Sequence, residues 1–114
     1  MRRNCAAKYI KYMDKKNIYV IVAEGEGQHI EFKEGLSRLD REIVAFANAC
    51  GGSIFVGITD YGKIIGTDIS NRMQSTIQDI AHNCDPAINI KFVKHEKNIL
   101  EVIVPEGDDK PYRC

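Results

Sequence analysis

The stretch from Ala45 to Gly62 constrains this chain more than any other. A helical end, Ala45-Phe46-Ala47-Asn48-Ala49-Cys50, runs through Gly51-Gly52 into Ser53-Ile54-Phe55-Val56-Gly57-Ile58-Thr59 and stops at Asp60-Tyr61-Gly62. Paired glycines supply the positive φ that stops a helix. The nearly unbroken apolar run behind them has the pattern of a strand covered on both faces. Residues 53–59 therefore read as a central strand, and the rest of the chain has to supply its cover.

Upstream, Ser37 is placed to cap a helix on which Leu39, Ile43, Phe46, Ala47 and Cys50 recur along one stripe, with Asp40 as the partner of a capping box. Ahead of it His29-Ile30-Glu31-Phe32-Lys33 alternates. Ile30 and Phe32 share one face and His29, Glu31 and Lys33 the other, which predicts a half-buried strand with a polar working face. Ile18-Tyr19-Val20-Ile21-Val22 is β-branched and aromatic and predicts a strand ending in the loop Glu24-Gly25-Glu26-Gly27. Residues 4–16 carry Ala7, Ile10 and Met13 on one side and Lys8, Lys11 and Lys15 elsewhere, the spacing of a short amphipathic helix. Downstream, Asp60-Tyr61-Gly62-Lys63 is a turn and Ile64-Ile65-Gly66 its returning arm. A second main helix spans residues 71–84, with Met73, Ile77, Ile80, Ala81 and Cys84 in register, and Asp85-Pro86 closes it. Residues 88–92 alternate, 95–98 turn, and 99–104 form the last strand. This order predicts an α+β fold of two layers: a mixed β-sheet packed against two main helices plus a short N-terminal helix.

A chain of 114 residues makes one domain with a modest core, and no apolar run approaches the roughly 20 residues of a membrane helix. Lys8, Lys11, Asp14, Lys15 and Lys16 interrupt any continuous apolar segment near the start, so the chain reads as cytoplasmic rather than exported. The four cysteines, Cys5, Cys50, Cys84 and Cys114, have no short pairing spacing and no zinc-finger histidines. They read as reduced thiols, with Cys50 and Cys84 filling apolar helix faces. Sixteen basic residues balance sixteen acidic ones, so any nucleic-acid binding must come from a local patch. Gly51, Gly52 and Gly57 do not make a dinucleotide fingerprint, there is no phosphate-loop lysine, and no serine sits in a nucleophile-elbow setting.

An ordered series of motifs carries a resemblance. Glu26 precedes Glu31-Phe32-Lys33; then come Ala45-Phe46-Ala47-Asn48, Gly51-Gly52, Gly57-Ile58-Thr59-Asp60, Gly62, Gly66, Asp85-Pro86 and a terminal apolar strand. From Glu26 to Val104 the chain resembles the Schlafen AlbA-type domain, with Ala49 where that family more usually has Thr. The resemblance implies residues 1–22 as an N-terminal extension and 23–114 as the domain, cut short at its C-terminus where relatives run on into another strand and often a winged helix. It implies a nucleic-acid-binding domain of a transcriptional regulator, with DNA or RNA as partner and, as in small Alba-like domains, a homodimer. It also reaches animal Schlafen proteins, some of which are endoribonucleases that use three acidic residues and a divalent metal. Carried over, those residues fall on Glu26, Glu31 and Asp60.

The chemistry of those residues is coherent by itself. Mg²⁺ or Mn²⁺ takes hard oxygen ligands, and phosphodiester cleavage needs a metal to activate water and stabilise the leaving oxygen. Glu26, Glu31 and Asp60 are thus the candidate catalytic and metal-binding set. Against this, Glu31 and Lys33 can be an ion pair on one face and Asp60 simply the start of a turn. Lys33, Arg38, Arg41, Lys63 and Arg72 are the candidate nucleic-acid contacts, with Tyr61 an exposed aromatic at a turn tip. Asn48, Gly51, Gly52 and Gly57 are assigned structural roles. Three functions follow for the chain: a nucleic-acid-binding domain, a metal-dependent endoribonuclease, and an oligomerisation or protein-interaction module.

Overall fold

Strand β2 (Gly52–Val56) is buried along its whole length, and the rest of the architecture follows from how its two faces and two edges are covered. The structure is a computed structural model in which residues 17–114 are described; the amphipathic segment expected at 4–16 lies outside them. The sheet has four strands in the order β1 (Ile30–Lys33), β2, β4 (Ile99–Val104), β3 (Lys91–His95). β1 runs parallel to β2, and the other pairs are antiparallel. The sheet is thus mixed, with β2 and β4 inside and β1 and β3 at the edges.

The parallel pair requires a crossover, which helix α2 (Leu39–Asn48) makes. Helix α3 (Asn71–His82) follows β2. Leu39, Ile43, Phe46 and Ala47 of α2 and Ile77 and Ala81 of α3 pack with Ile54, Val56, Leu100, Val102 and Val104 of the sheet in one core. On the other face Ile30, Phe32, Phe55, Ile58 and Ile99 form a second core with Ile18 and Ile21. Alternation along β2 explains the split, since Ile54 and Val56 point to the two long helices and Phe55 points away from them. The same opposite face holds a buried polar group. Glu101 accepts a hydrogen bond from Ser53 Oγ at 2.5 Å and lies 2.7 Å from His95 Nε2, so its carboxylate is partnered rather than stranded.

Several local expectations are corrected. Residues 18–22 are not a strand but helix α1 (Ile18–Glu24). Ile18 and Ile21 lie one turn apart and are the buried pair, while the Asn17 side chain accepts from the Val20 N–H at 3.0 Å and Gly25, at φ 84°, ends the helix. Capping and tertiary burial here outweigh β-branched propensity. Ser37 does not cap α2, because Arg38 holds that position in the left-handed conformation with no side-chain bond, and Leu39 N–H instead donates to Leu36 O. Ile64 meets Ile58 in a single bridge rather than a hairpin arm. The edge strand expected at 88–92 pairs over Lys91–His95 instead, and Ile88 and Ile90 turn into the helix-side core. Cys84 and Cys114, expected as thiols, are joined as a disulfide across 30 residues.

Beyond β4 the chain folds back over the helices. Asn48 at the end of α2 donates to Tyr112 O at 3.0 Å and accepts from Tyr112 N–H at 2.6 Å, a two-pronged bond that copies strand pairing with a side chain. Gly107 N–H donates to Ala47 O, and Arg113 and Asp85 exchange backbone bonds. The paired glycines ahead of β2 are required for two different reasons. Gly51 turns at φ 82°, where a Cβ would also lie 2.8 Å from Val104 O, whereas at Gly52 it is the Phe46 ring, 2.6 Å from a Cβ, that excludes a side chain.

Candidate functional site

Because β1 and β2 are parallel and joined by a crossover helix, the loops leaving their carboxyl ends lie side by side, the position at which open α/β sheets commonly hold ligands. Here the neighbours are residues 34–38 after β1, the loop from Gly57 after β2, and the turn Glu96–Asn98 between β3 and β4. Gly57 N–H donates to Lys33 O at 2.7 Å and Thr67 N–H to Asn98 O at 2.8 Å, which ties the three together.

The register opposes Glu31 to Ile54 and Lys33 to Val56. The polar residues of β1 therefore point to the side of the sheet that carries α2, where they meet the first turn of that helix instead of open solvent. Lys33 Nζ donates to Ser37 O and lies 3.9 Å from a Glu42 carboxylate oxygen. Glu31 is half-buried, and its carboxyl is pushed up to about 7 by burial, then by the charges of Glu26 and Glu42 and a hydrogen bond with Glu26, with Lys33 opposing. Glu26 also braces the backbone, since its Oε2 accepts from the Phe32 N–H at 2.9 Å. Gly27 and Ile30 exchange backbone bonds beside it. As β1 is an edge strand, this carboxylate and its loop occupy donors that would otherwise face outward unpaired.

The fold thus brings Glu26 and Glu31 together and adds Glu42, which the sequence reading did not name as a site residue. A signal was there: in a strand–helix crossover the first helical turn returns over the end of the preceding strand. Asp60 is exposed in the turn after β2, where Thr59 and Lys63 bond across it. Among the described residues no three His, Cys, Asp or Glu side chains are grouped so as to hold a metal ion. Glu26, Glu31 and Asp60 do not fit a divalent cation as a set in this arrangement.

Of the candidate nucleic-acid contacts, Arg38, Arg41, Lys63 and Arg72 are exposed, while Lys33 is largely enclosed by its bonds to the start of α2. Tyr61 is 98% exposed at the tip of its turn. Gly57 takes φ 112° and packs against Gly66, closing the base of the loop that carries Tyr61 and Lys63.

The fold has a counterpart among solved structures. A crystal structure of the DIP2311 protein from Corynebacterium diphtheriae matches with a TM-score of 0.61 at 20% identity, over 96% of this chain and 27% of that one. That likeness speaks to the fold, and the chain spans 27% of the length of that protein. No curated protein matches the sequence. No helix among the described residues is long and apolar enough to cross a membrane. The motif series running from Glu26 through the paired glycines to the terminal strand agrees with the family comparison: residues 26–114 match the model described as Schlafen, AlbA_2, and the chain belongs to that family.

Proposed function

We propose that this chain is a nucleic-acid-binding domain of a transcriptional regulator. The family match over residues 26–114 carries the reading. It is supported by exposed basic side chains, Arg38, Arg41, Lys63 and Arg72, on a chain whose total charge is zero, so that affinity has to be local. The domain is taken to begin at residue 23, to act as a homodimer on DNA or RNA, and to work in the cytoplasm. Glu26, whose carboxylate bonds the edge of β1, and Glu31, hydrogen-bonded to it, serve on this reading to hold the β1 end of the surface.

The test is a gel shift of the full chain with labelled duplex DNA and structured RNA at low salt, with Mn²⁺ in one arm and EDTA in the other. The expected result is a shift in both arms with intact nucleic acid. Absence of any shift at low salt would end this reading and leave the interaction module. Cleavage in Mn²⁺ that disappears in EDTA would replace it with the endoribonuclease that uses Mg²⁺ or Mn²⁺. Sedimentation equilibrium tests the homodimer, and trapping and titrating the thiols of the protein in intact cells tests the location, since a persistent Cys84–Cys114 disulfide belongs to oxidising compartments.

A further inference from the structure

The exposed edge of the sheet differs in kind from the covered one. β1 is closed off by Glu26 and its loop. β3, at the other edge, pairs with β4 alone among the described residues. Its sequence, Lys91-Phe92-Val93-Lys94-His95, leaves Lys91, Val93 and Lys94 exposed, and the turn that follows adds Lys97. Three residues apart on a strand, Lys91 and Lys94 leave it on opposite faces, Lys91 on the side of His95 and Lys94 on that of Phe92, so the two cations straddle the edge with their Cα atoms roughly 10 Å apart. The row of cations leads into the turn at the end of the sheet that also bears the loops described above. Glu96, the acidic residue within the row, is engaged by the Tyr19 hydroxyl at 3.0 Å.

Two further observations set this row apart from ordinary surface lysines. Lys97 is held at φ 65° next to Asn98 at φ 57°. The left-handed conformation is tolerated by Asn but disfavours a long side chain, so the backbone here would be easier with glycine. Lysine at that position costs strain, and what it provides is a cation projecting from the hairpin tip. Second, the turn abuts the loop bearing Tyr61: Thr67 N–H bonds Asn98 O, and a Cβ at Gly66 would lie 2.9 Å from Lys97 O. Tyr61 stands out on a turn fixed by three bonds, Gly62 N–H to Thr59 O at 2.9 Å, Thr59 N–H to Lys63 O at 2.9 Å, and Lys63 N–H to Thr59 Oγ1 at 3.1 Å. The tip of that turn lies by α1, where a Cβ at Gly62 would meet Val22 O at 3.4 Å, and its base by Lys97; an aromatic ring so presented, on the loop that adjoins the lysine-bearing turn, can stack on an unpaired base, which a duplex keeps inside its own stack.

We propose that the β3 edge, the turn Glu96–Asn98 and the Tyr61 loop together form a track for single-stranded nucleic acid: Lys91, Lys94, Lys97 and Lys63 follow the phosphates, and Tyr61 stacks on a base. Asp60, beside Tyr61, opposes phosphate there and limits the affinity. This rests on the nucleic-acid reading above and adds to it the strand state and the surface.

The test uses the full chain, a fluorescein-labelled 15-nucleotide oligo(dT) or oligo(U), and a blunt duplex of the same length, titrated by anisotropy over a range of salt. The expected result is tighter binding of the single strand. Lys91→Gln/Lys94→Gln/Lys97→Gln should weaken it roughly tenfold and lower the salt slope by about 2, since each phosphate that a cation neutralises on a single strand adds ~0.7 to that slope. Tyr61→Ala should weaken it about fivefold or more with the slope unchanged. Lys97→Gly, which removes the cation and relieves the backbone, should melt at a higher temperature than the parent and still bind less tightly, a combination that a purely structural lysine would not give. Equal or tighter binding of the duplex overturns the single-strand assignment. Parental affinity and slope in the triple variant and in Tyr61→Ala overturn the surface while leaving the nucleic-acid reading in place. Failure of the parent to bind any probe removes both.

Discussion

Glu31 is the residue whose chemistry is most altered by its surroundings. Its carboxyl rises from the ordinary 4.5 to about 7 because it is half-buried beside Glu26 and Glu42. A carboxyl with a raised folded value binds its proton more tightly in the folded chain than in the unfolded one. Its contribution is therefore most favourable below about 4.5 and is lost as pH climbs from there to about 7. Glu31→Gln should remove this loss. With the site open to solvent on one side, screening keeps the gain to about 1 kcal/mol at pH 8, and it should vanish near pH 4. Urea melts of parent and variant at the two pH values check it, and an unchanged difference between them would refute the assigned proton. Sequence pattern placed Glu31 on the polar side of an alternating strand, and that was legible because side-chain period in a strand is fixed by backbone geometry. That the same side faces α2 was not, since it depends on which edge the strand occupies. Asn48 shows the same limit: its position at a helix end was readable, but its bond to Tyr112 joins residues 64 positions apart.

At the scale of elements, the strands of the centre were the easiest to recognise and the short pieces at the rim the hardest. β2 and β4 are buried on both faces, so their apolar runs have one sensible structure. Ile18-Tyr19-Val20-Ile21-Val22 has the composition of a strand and is a helix, because seven residues carry too little periodic signal to outvote a cap at Asn17 and a stop at Gly25. α1 then covers Phe32, Phe55 and Ile99 from the opposite side of the sheet, a role that no local pattern announces. Ile21→Ala should cost about 2–4 kcal/mol, as expected for a fully buried isoleucine, while Tyr19→Ala, at an exposed position, should leave the melting temperature nearly unchanged. Thermal melts of the two variants distinguish a packed helix from a loosely attached one, for which the two losses would be alike. Glu42 was missed for a similar reason, since it acts across the β1–α2 junction and not along either element.

On the scale of the whole molecule, the two sheet edges are unequal. One is sealed by the Glu26 carboxylate on the Phe32 N–H, and the other ends in β3 with Lys91 and Lys94 on it. If two copies pair through their sheets, the joint has to be β3 against β3, which covers the lysine row. Self-association and oligonucleotide binding should then compete: sedimentation velocity with a saturating single strand should return a dimer to the monomer, whereas a dimer that persists with the strand bound must be joined elsewhere. The seal at β1 also sets an upper limit on such growth. A sheet with one joinable margin can be lengthened once and no further, so this molecule, in its folded form, carries a built-in stop against templated stacking into fibres.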